Sequence, residues 1–501
     1  MKGRTVFILT SLFFITLIIL WAQFNPKVYW TFLILTPIIM LGISDMLNRK
    51  QSIKRNFPVI GHFRFLLEKI RPEIQQYFVE TDTEGTPINR IFRSLIYQRS
   101  KNVTDTTPFG TRLNVYKSGY EWMNHSMFAI DHHKIEHDPR VIVGGENCRQ
   151  PYAASILNIS AMSFGSLSKN AVMAMNKGAK IGGFAQNTGE GGISHYHLEH
   201  GGDLIWQIGT GYFGCRTKEG AFDPEMFAIN SAKTSVKMIE LKISQGAKPG
   251  HGGILPAIKN TKEIAEIRGV EAHTTVFSPP SHATFDDTNG LLDFISQLQE
   301  LSGGKPVGFK ICVGSRNEFE EICTSMKEKQ IYPDFISVDG GEGGTGAAPV
   351  EFSNSLGMPL RDGIYIVDTL LKKHGLRGKL KIIASGKIFT SFHMARVIAL
   401  GADLCYSARA MMLATGCIQA LQCNNNTCPV GVATQNKHLM KGLDVDIKSE
   451  RVASYHRKTV EAFAELLGAA GLLSSDEITK DHINKRVSIT SVKTYAEIYP
   501  G

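Results

Sequence analysis

Several signatures that would point to other kinds of protein are missing from this chain. No G-x-G-x-x-G turn follows a first apolar strand with an acid about twenty residues further on, which weighs against a doubly wound dinucleotide fold. Short C-x2-C knuckles are absent too, so a closed structural zinc site has little to rest on. Nothing matches a nucleic-acid motif. The formal net charge of +9 draws much of its excess from Arg49, Lys50, Lys54 and Arg55, a placement that suggests a membrane flank before nucleic acid.

Charge is missing altogether from Thr5 to Pro26, a run long enough to cross a hydrocarbon core as a helix. It is missing again from Val28 to Ser44, a shorter run broken by Pro37. We read residues 1–48 as a transmembrane hairpin. Lys2 and Arg4 flank one outer end and Arg49, Lys50, Lys54 and Arg55 the other, with only Lys27 between the runs, so both termini are expected in the cytoplasm. A cleaved signal peptide is the rival reading, weakened because no small-residue cleavage site follows. The expected location is therefore the cell membrane, with two helices and a cytoplasmic catalytic domain.

With 501 residues, 43% of them apolar, the chain can build two or three average domains or one large barrel with appendages. Of its eight cysteines five are scattered, while Cys417, Cys423 and Cys428 form C-x5-C-x4-C. Clustered thiols in a long chain read as metal-binding or catalytic in a reducing compartment, not as a disulfide framework. An iron–sulfur cluster is the sharpest reading, with zinc and simple packing as competitors. Three thiolates with no obvious fourth favour a three-iron cluster.

Residues 49–150 read as a mixed N-terminal extension packing on the main domain, in which PEIQQYFVETD has helical period. Beyond Pro151, apolar runs such as SILNIS, KIGGFAQ, MIELKIS, PVGFKICVG, DFISVDGG, LKIIASGK and ADLCYSA alternate with helix-like stretches. That alternation predicts a parallel α/β fold, and its length suits a TIM (β/α)8 barrel over 151–470, with a cysteine loop at 416–435 and a tail at 471–501. Active sites of such barrels lie at the C-terminal ends of the strands. Val338 leads into DGGEGGTGAAP, the next strand ends at Gly386 and Lys387, and the one after ends at Ala408 and Arg409. The last two are expected to be strands seven and eight, the usual phosphate site of this fold. Glu190 stands among glycines, and Gln245, Lys248 and His251 share QGAKPGHGG. Glycines on both sides clear space for a ligand that these polar groups can face.

NISAMSFGSLS, QNTGEGG, ISQGAKPGHGGILP, FSPPSHATFDD, GGEGGTGAAP and CIQALQCNNNTCPVGVATQ together resemble the FMN-binding synthase domain of glutamate synthases, over about Pro151 to Gln435. The short, membrane-anchored glutamate-synthase-like group of bacteria is the nearest resemblance. It implies a TIM barrel holding FMN and a 3Fe-4S cluster, with electrons passing from cluster to flavin to an imine of 2-oxoglutarate and ammonia. By position, Cys417, Cys423 and Cys428 match the cluster ligands, while Gln245, Lys248 and Arg268 match the substrate-binding positions. Glu190 and Lys248 match catalytic positions. Met162, Ser163, Thr188, Gln207, Lys310, Gly343, Gly344, Gly386, Lys387, Ala408 and Arg409 fall on or beside FMN-contacting segments.

The chain also departs from the resemblance. Met1-Lys2-Gly3 stands where the family's glutaminase begins with a nucleophilic cysteine, so neither a glutaminase nor a pyridine-nucleotide domain is expected. Tyr212 replaces a usual arginine, which is expected to alter how FMN is held, and His251 replaces a usual glutamate. The expected partners are a keto acid, ammonia or a partner-supplied amine, the membrane, and an electron donor that is ferredoxin-like, a pyridine-nucleotide reductase subunit or a membrane redox partner. The alternative function is a membrane-bound flavin and iron–sulfur electron carrier, or a regulatory protein that has lost amination.

Overall fold

The computed structural model describes residues 3–501, so Lys2 of the expected positive flank lies outside the described residues. Two compact units make up the chain, one ending at Pro87 and the other running Ile88–Gly501, so the boundary falls inside the stretch 49–150.

The N-terminal unit contains helix α1 (Gly3–Ala22), a 3-10 turn (Pro26–Thr31) and helix α2 (Phe32–Leu47). By length and composition alone, Gly3–Ala22 and Pro26–Leu47 suffice to cross a membrane. A signal sequence or a core helix of a soluble protein has the same properties. Large apolar side chains along both, including Phe13, Trp21, Trp30 and Leu33, are exposed. The sequence predicts a break at Pro37, but α2 runs through it. A proline in the second helical turn removes one N–H, and an apolar helix tolerates that loss.

In the larger unit, eight parallel strands close into a barrel. They are β1 (Leu157–Ile159), β2 (Gln186–Asn187), β3 (Leu204–Ile208), β4 (Val236–Lys242), β5 (Val307–Ile311), β6 (Phe335–Asp339), β7 (Lys381–Ser385) and β8 (Leu404–Ser407). Pairing of Cys405 with Leu157 completes the ring. Residues of β3, β5 and β6 are buried throughout, because helices cover one face and the barrel interior the other. That double burial is why these strands read as continuous apolar runs. KIGGFAQ, expected as a strand, is mostly the end of helix α3 (Lys169–Gly182), whose left-handed cap is Gly183. Only Gln186–Asn187 remains extended.

Outside the barrel, the 26-residue helix α4 (Val445–Ala470) packs on α3. Contact is closest at Gly178, where a Cβ would come within 2.8 Å of the Ser449 carbonyl oxygen and of Val452. Residues 471–501 are ordered, since Ile483–Arg486 pairs antiparallel with Glu121–Met123 and with Val492–Thr494. From that sheet Glu121 is ion-paired with Arg361 and with Arg396. Burial pushes its carboxyl up, but the two guanidiniums outweigh it and hold the group below the usual range.

Candidate active site

The site is built on a buried polar floor. Glu240, on β4 and fully buried, accepts hydrogen bonds from Asn187 Nδ2 (2.8 Å), Gln207 Nε2 (2.7 Å) and the Ser337 hydroxyl. One carboxylate thereby orients side chains from three other strands. Thr188 Oγ1 accepts from Gln207 N at 3.1 Å, so these two sequence candidates are neighbours.

Above the floor the C-terminal ends of β2 and β4 bring charges together. Lys242 Nζ lies 3.0 Å from Glu190 Oε2 and donates to Gln245 Oε1 at 3.1 Å, while Gln245 Nε2 donates to the Gly344 carbonyl at 3.2 Å. Glycines fence the glutamate closely: a Cβ on Gly209 or Gly253 would sit 2.6 or 2.4 Å from its carboxylate oxygens. Burial raises the Glu190 carboxyl, but Lys242, Lys248 and Arg268 prevail and keep it below its ordinary value. Lys248 is pushed down from the usual lysine range by burial and by Lys242, with Glu190 opposing. Arg268 is buried, lowered to about 10 by burial, and donates to the Phe164 carbonyl at 3.2 Å and to Ser163 Oγ at 3.5 Å. Its guanidinium carbon lies 5.1 Å from the centre of the Phe213 ring, and its Nε is buried without a hydrogen-bond partner. Three cations therefore act on one carboxylate, leaving two positive charges without an acid of their own. Glu190, Lys242, Gln245 and His251 line one cleft with Thr210 and Pro279.

Lys310 on β5 is ion-paired with Asp339 on β6 at 3.3 Å. Although burial lowers it, Asp339 and Glu240 more than compensate and hold it charged. Asp339 Oδ2 also accepts from Gly246 N at 2.9 Å, tying the QGAKPG loop to β6.

A second cradle forms where β6, β7 and β8 end, with β7 and β8 in seventh and eighth place as expected. Arg409 donates to the Glu342 carbonyl at 2.6 Å, and a Cβ on Gly344 would approach Arg409 Nε to 3.0 Å. Gly386 (φ 140°) lies against Gly340, whose nitrogen is 3.3 Å from where a Cβ would be. Lys387, in the left-handed region at φ 47°, is pushed down by burial and by Arg409. Two cations beside backbone that only glycine permits suit an anionic phosphate. Gly343 belongs to the same turn, its nitrogen donating to the Gly340 carbonyl at 2.7 Å. Met162 is half-buried and packs on the core; Ala408 immediately precedes Arg409.

Cys417, Cys423 and Cys428 lie on one loop, and the three thiols act on one another electrostatically. Burial pushes the Cys417 thiol up to about 12, so three thiolates require a bound cation to offset them. A single tetrahedral zinc with Zn–S near 2.3 Å needs its sulfurs about 3.8 Å apart. Among the described residues, the set of ligand atoms all within 4.8 Å of one another is Asp131, His132 and His133, not these cysteines. The all-thiol donor set suits soft ions such as zinc and iron alike.

Neither departure falls among the residues at the ends of β6, β7 and β8. Tyr212 is buried, its hydroxyl 2.9 Å from Thr284 Oγ1 and 3.1 Å from His282 Nδ1. His282 donates from Nε2 to the Lys242 carbonyl at 2.9 Å, so Nδ1 accepts from Tyr212, and burial lowers this imidazole to about 4. Tyr212 thus braces the end of β4 that carries Lys242. His251 donates to the Gly252 carbonyl and packs against Phe352.

Sequence reasoning missed Lys242, Asp339 and Glu240. The first two stand at strand ends and were open to the rule that found Lys310; Glu240 shows no local signal.

Residues 107–473 match the family model described as a conserved region in glutamate synthase. The chain belongs to the glutamate synthase family. It is 38% identical over 493 residues to the glutamate synthase large subunit-like protein YerD of Bacillus subtilis, covering 90% of this chain and 93% of YerD. Identity is 36% to the archaeal glutamate synthase [NADPH] of Methanocaldococcus jannaschii and 34% to the archaeal-type enzyme of Thermotoga neapolitana. Those matches cover 64% and 62% of this chain but only 60% and 59% of the two enzymes.

Proposed function

We propose that the chain is an oxidoreductase that reduces an imine, formed from 2-oxoglutarate or a related keto acid and ammonia or a partner-supplied amine, to an amino acid. The observation that carries this reading is the pair of positive charges left over by Glu190 among Lys242, Lys248 and Arg268, which matches a dicarboxylate. Lys248 and Arg268 take the carboxylates. Gln245, its amide oriented by Lys242 and the Gly344 carbonyl, fixes the ligand between them. Glu190, kept ionised, attracts the ammonium and the cationic imine nitrogen and is placed to pass a proton.

The donor sets support FMN and a 3Fe-4S cluster as the cofactors. Lys387, Arg409, Ala408, Gly386, Gly343 and Gly344 would hold the flavin phosphate; Met162, Ser163, Thr188, Gln207 and Lys310 would face the ring. Cys417, Cys423 and Cys428 would ligate the iron. Bound there, a flavin would supply hydride chemistry and a cluster single electrons. Lys310, held charged by Asp339, would offset negative charge on a flavin ring bound near it. The two apolar helices support anchoring to the cell membrane as a two-span hairpin with the barrel in the cytoplasm.

Those helices also favour a second reading, a membrane-bound electron carrier without amination activity. Anaerobic stopped-flow separates the two. Reduced flavin reoxidises rapidly when 2-oxoglutarate and ammonium arrive together if the chain is an aminating enzyme, and ignores them if it is a carrier.

A further inference from the structure

Lys259 stands on a short 3-10 turn, Ala257–Lys259, in the long excursion between β4 and β5. The next residue pins that turn: Asn260 Nδ2 donates to the Glu271 carbonyl at 2.8 Å and to the Thr274 carbonyl at 3.0 Å. Lys259 itself is only 2% exposed. Its ammonium donates to three carbonyls: Ser166 at 2.6 Å, Cys423 at 3.1 Å and Ala433 at 3.3 Å. They belong to two segments, the loop after β1 and the cysteine loop, which the ammonium grips at two points. A buried ammonium normally has a carboxylate beside it. Here burial pushes the ammonium down to about 8, and the acidic groups that oppose this are the thiols of Cys423 and Cys428.

Other contacts follow the same line. Gln435 Nε2 donates to the Gly165 and Leu167 carbonyls at 3.1 and 2.8 Å, and Ser168 Oγ donates to the Gly431 carbonyl at 2.6 Å. On its other side the loop after β1 is held by Arg268 through Ser163 and Phe164. One short loop therefore joins the cysteine segment to the substrate cations, and Lys259 is a charged group hydrogen-bonded across that joint.

We propose that Lys259 is a positioning residue that fixes the cysteine loop against the loop after β1 and, through the positive charge it holds there, tunes the reduction potential of the iron–sulfur group. The proposal rests on the reading of the three cysteines as cluster ligands. Adding an electron to a thiolate-ligated cluster makes it more negative, and a buried cation nearby stabilises that state. Three carbonyl acceptors keep the ammonium in one place, so the effect is static rather than averaged over rotamers.

The test uses the full chain, purified anaerobically, as wild type, Lys259→Gln and Lys259→Arg. Iron, sulfide and FMN contents are measured, and the cluster midpoint is read by EPR-monitored redox titration. Lys259→Gln is expected to keep its FMN and to shift the midpoint to lower potential, or to lose iron selectively; Lys259→Arg keeps the wild-type midpoint because it keeps the charge. Wild-type iron content and midpoint in Lys259→Gln overturn the proposal. If the glutamine variant does not fold, the arginine variant decides, and a lowered midpoint in it counts against a charge effect. Wild-type protein that holds FMN but no iron or sulfide refutes the cluster reading itself, an outcome distinct from failure of the lysine's role.

Discussion

Replacing Lys248 with alanine removes one of the two positive charges that no acid near them balances. The side chain is 5% exposed, so a ligand carboxylate meeting it is largely shielded from water. A charge-assisted hydrogen bond in such a place contributes about 1.5–3 kcal/mol. The bare Coulomb attraction of two unit charges 4 Å apart at an effective dielectric of 20 sets a ceiling of about 4 kcal/mol. Part of that is returned, because deleting Lys248 also relieves its repulsion with Lys242. A loss of about 2–3 kcal/mol follows, or roughly 30- to 150-fold weaker binding of 2-oxoglutarate. Anaerobic titration of the oxidised flavin spectrum with 2-oxoglutarate measures it, with Lys248→Met controlling for the lost stem. The pH dependence has a definite sign: because Lys248 lies below the ordinary lysine value, affinity is full at lower pH and falls as pH rises, sooner than for an exposed lysine. An affinity within threefold of wild type in both variants would refute the assignment.

Cys423→Ser is expected to abolish iron-dependent absorbance while FMN stays bound, as iron analysis and flavin extraction will show; full iron content defeats the ligand assignment. Glu121→Gln leaves Arg361 and Arg396 without their shared carboxylate and should destabilise the fold by about 3 kcal/mol in urea unfolding. Since the folded Glu121 carboxyl lies below its unfolded value, its stabilisation is present above the unfolded pKa and lost as pH falls through the folded one. The glutamine variant therefore shows a shallower acid loss of stability than wild type. Gly178→Ala gains up to about 1 kcal/mol of helix propensity but forces a methyl onto the Ser449 carbonyl, costing about 1–3 kcal/mol, so its melting temperature should fall.

Much of the barrel was legible because parallel strands buried on both faces leave uninterrupted apolar runs, as in PVGFKICVG and DFISVDGG. KIGGFAQ misled because a two-residue strand is too short to show a period, and its apolar start belongs to the last turn of α3. Within the site, glycine-flanked charges such as Glu190 and Lys248 announced themselves locally. Lys259 did not, since its three carbonyl partners lie 93, 164 and 174 residues away. Glu240 was hidden for a similar reason, its donors coming from three other strands. The hydrogen-bond chain from Tyr212 through His282 to Lys242 was likewise out of reach of the sequence, because its two links join residues 70 and 40 positions apart.

Single-turnover chemistry with labelled nitrogen tests the central claim most directly. Flavin-reduced protein is mixed anaerobically with 2-oxoglutarate and 15N-ammonium, then quenched and analysed by mass spectrometry. The account predicts 15N-glutamate in proportion to flavin reoxidised, and none when either reactant is omitted. Flavin that stays reduced, or reoxidises with no labelled amino acid formed, contradicts it.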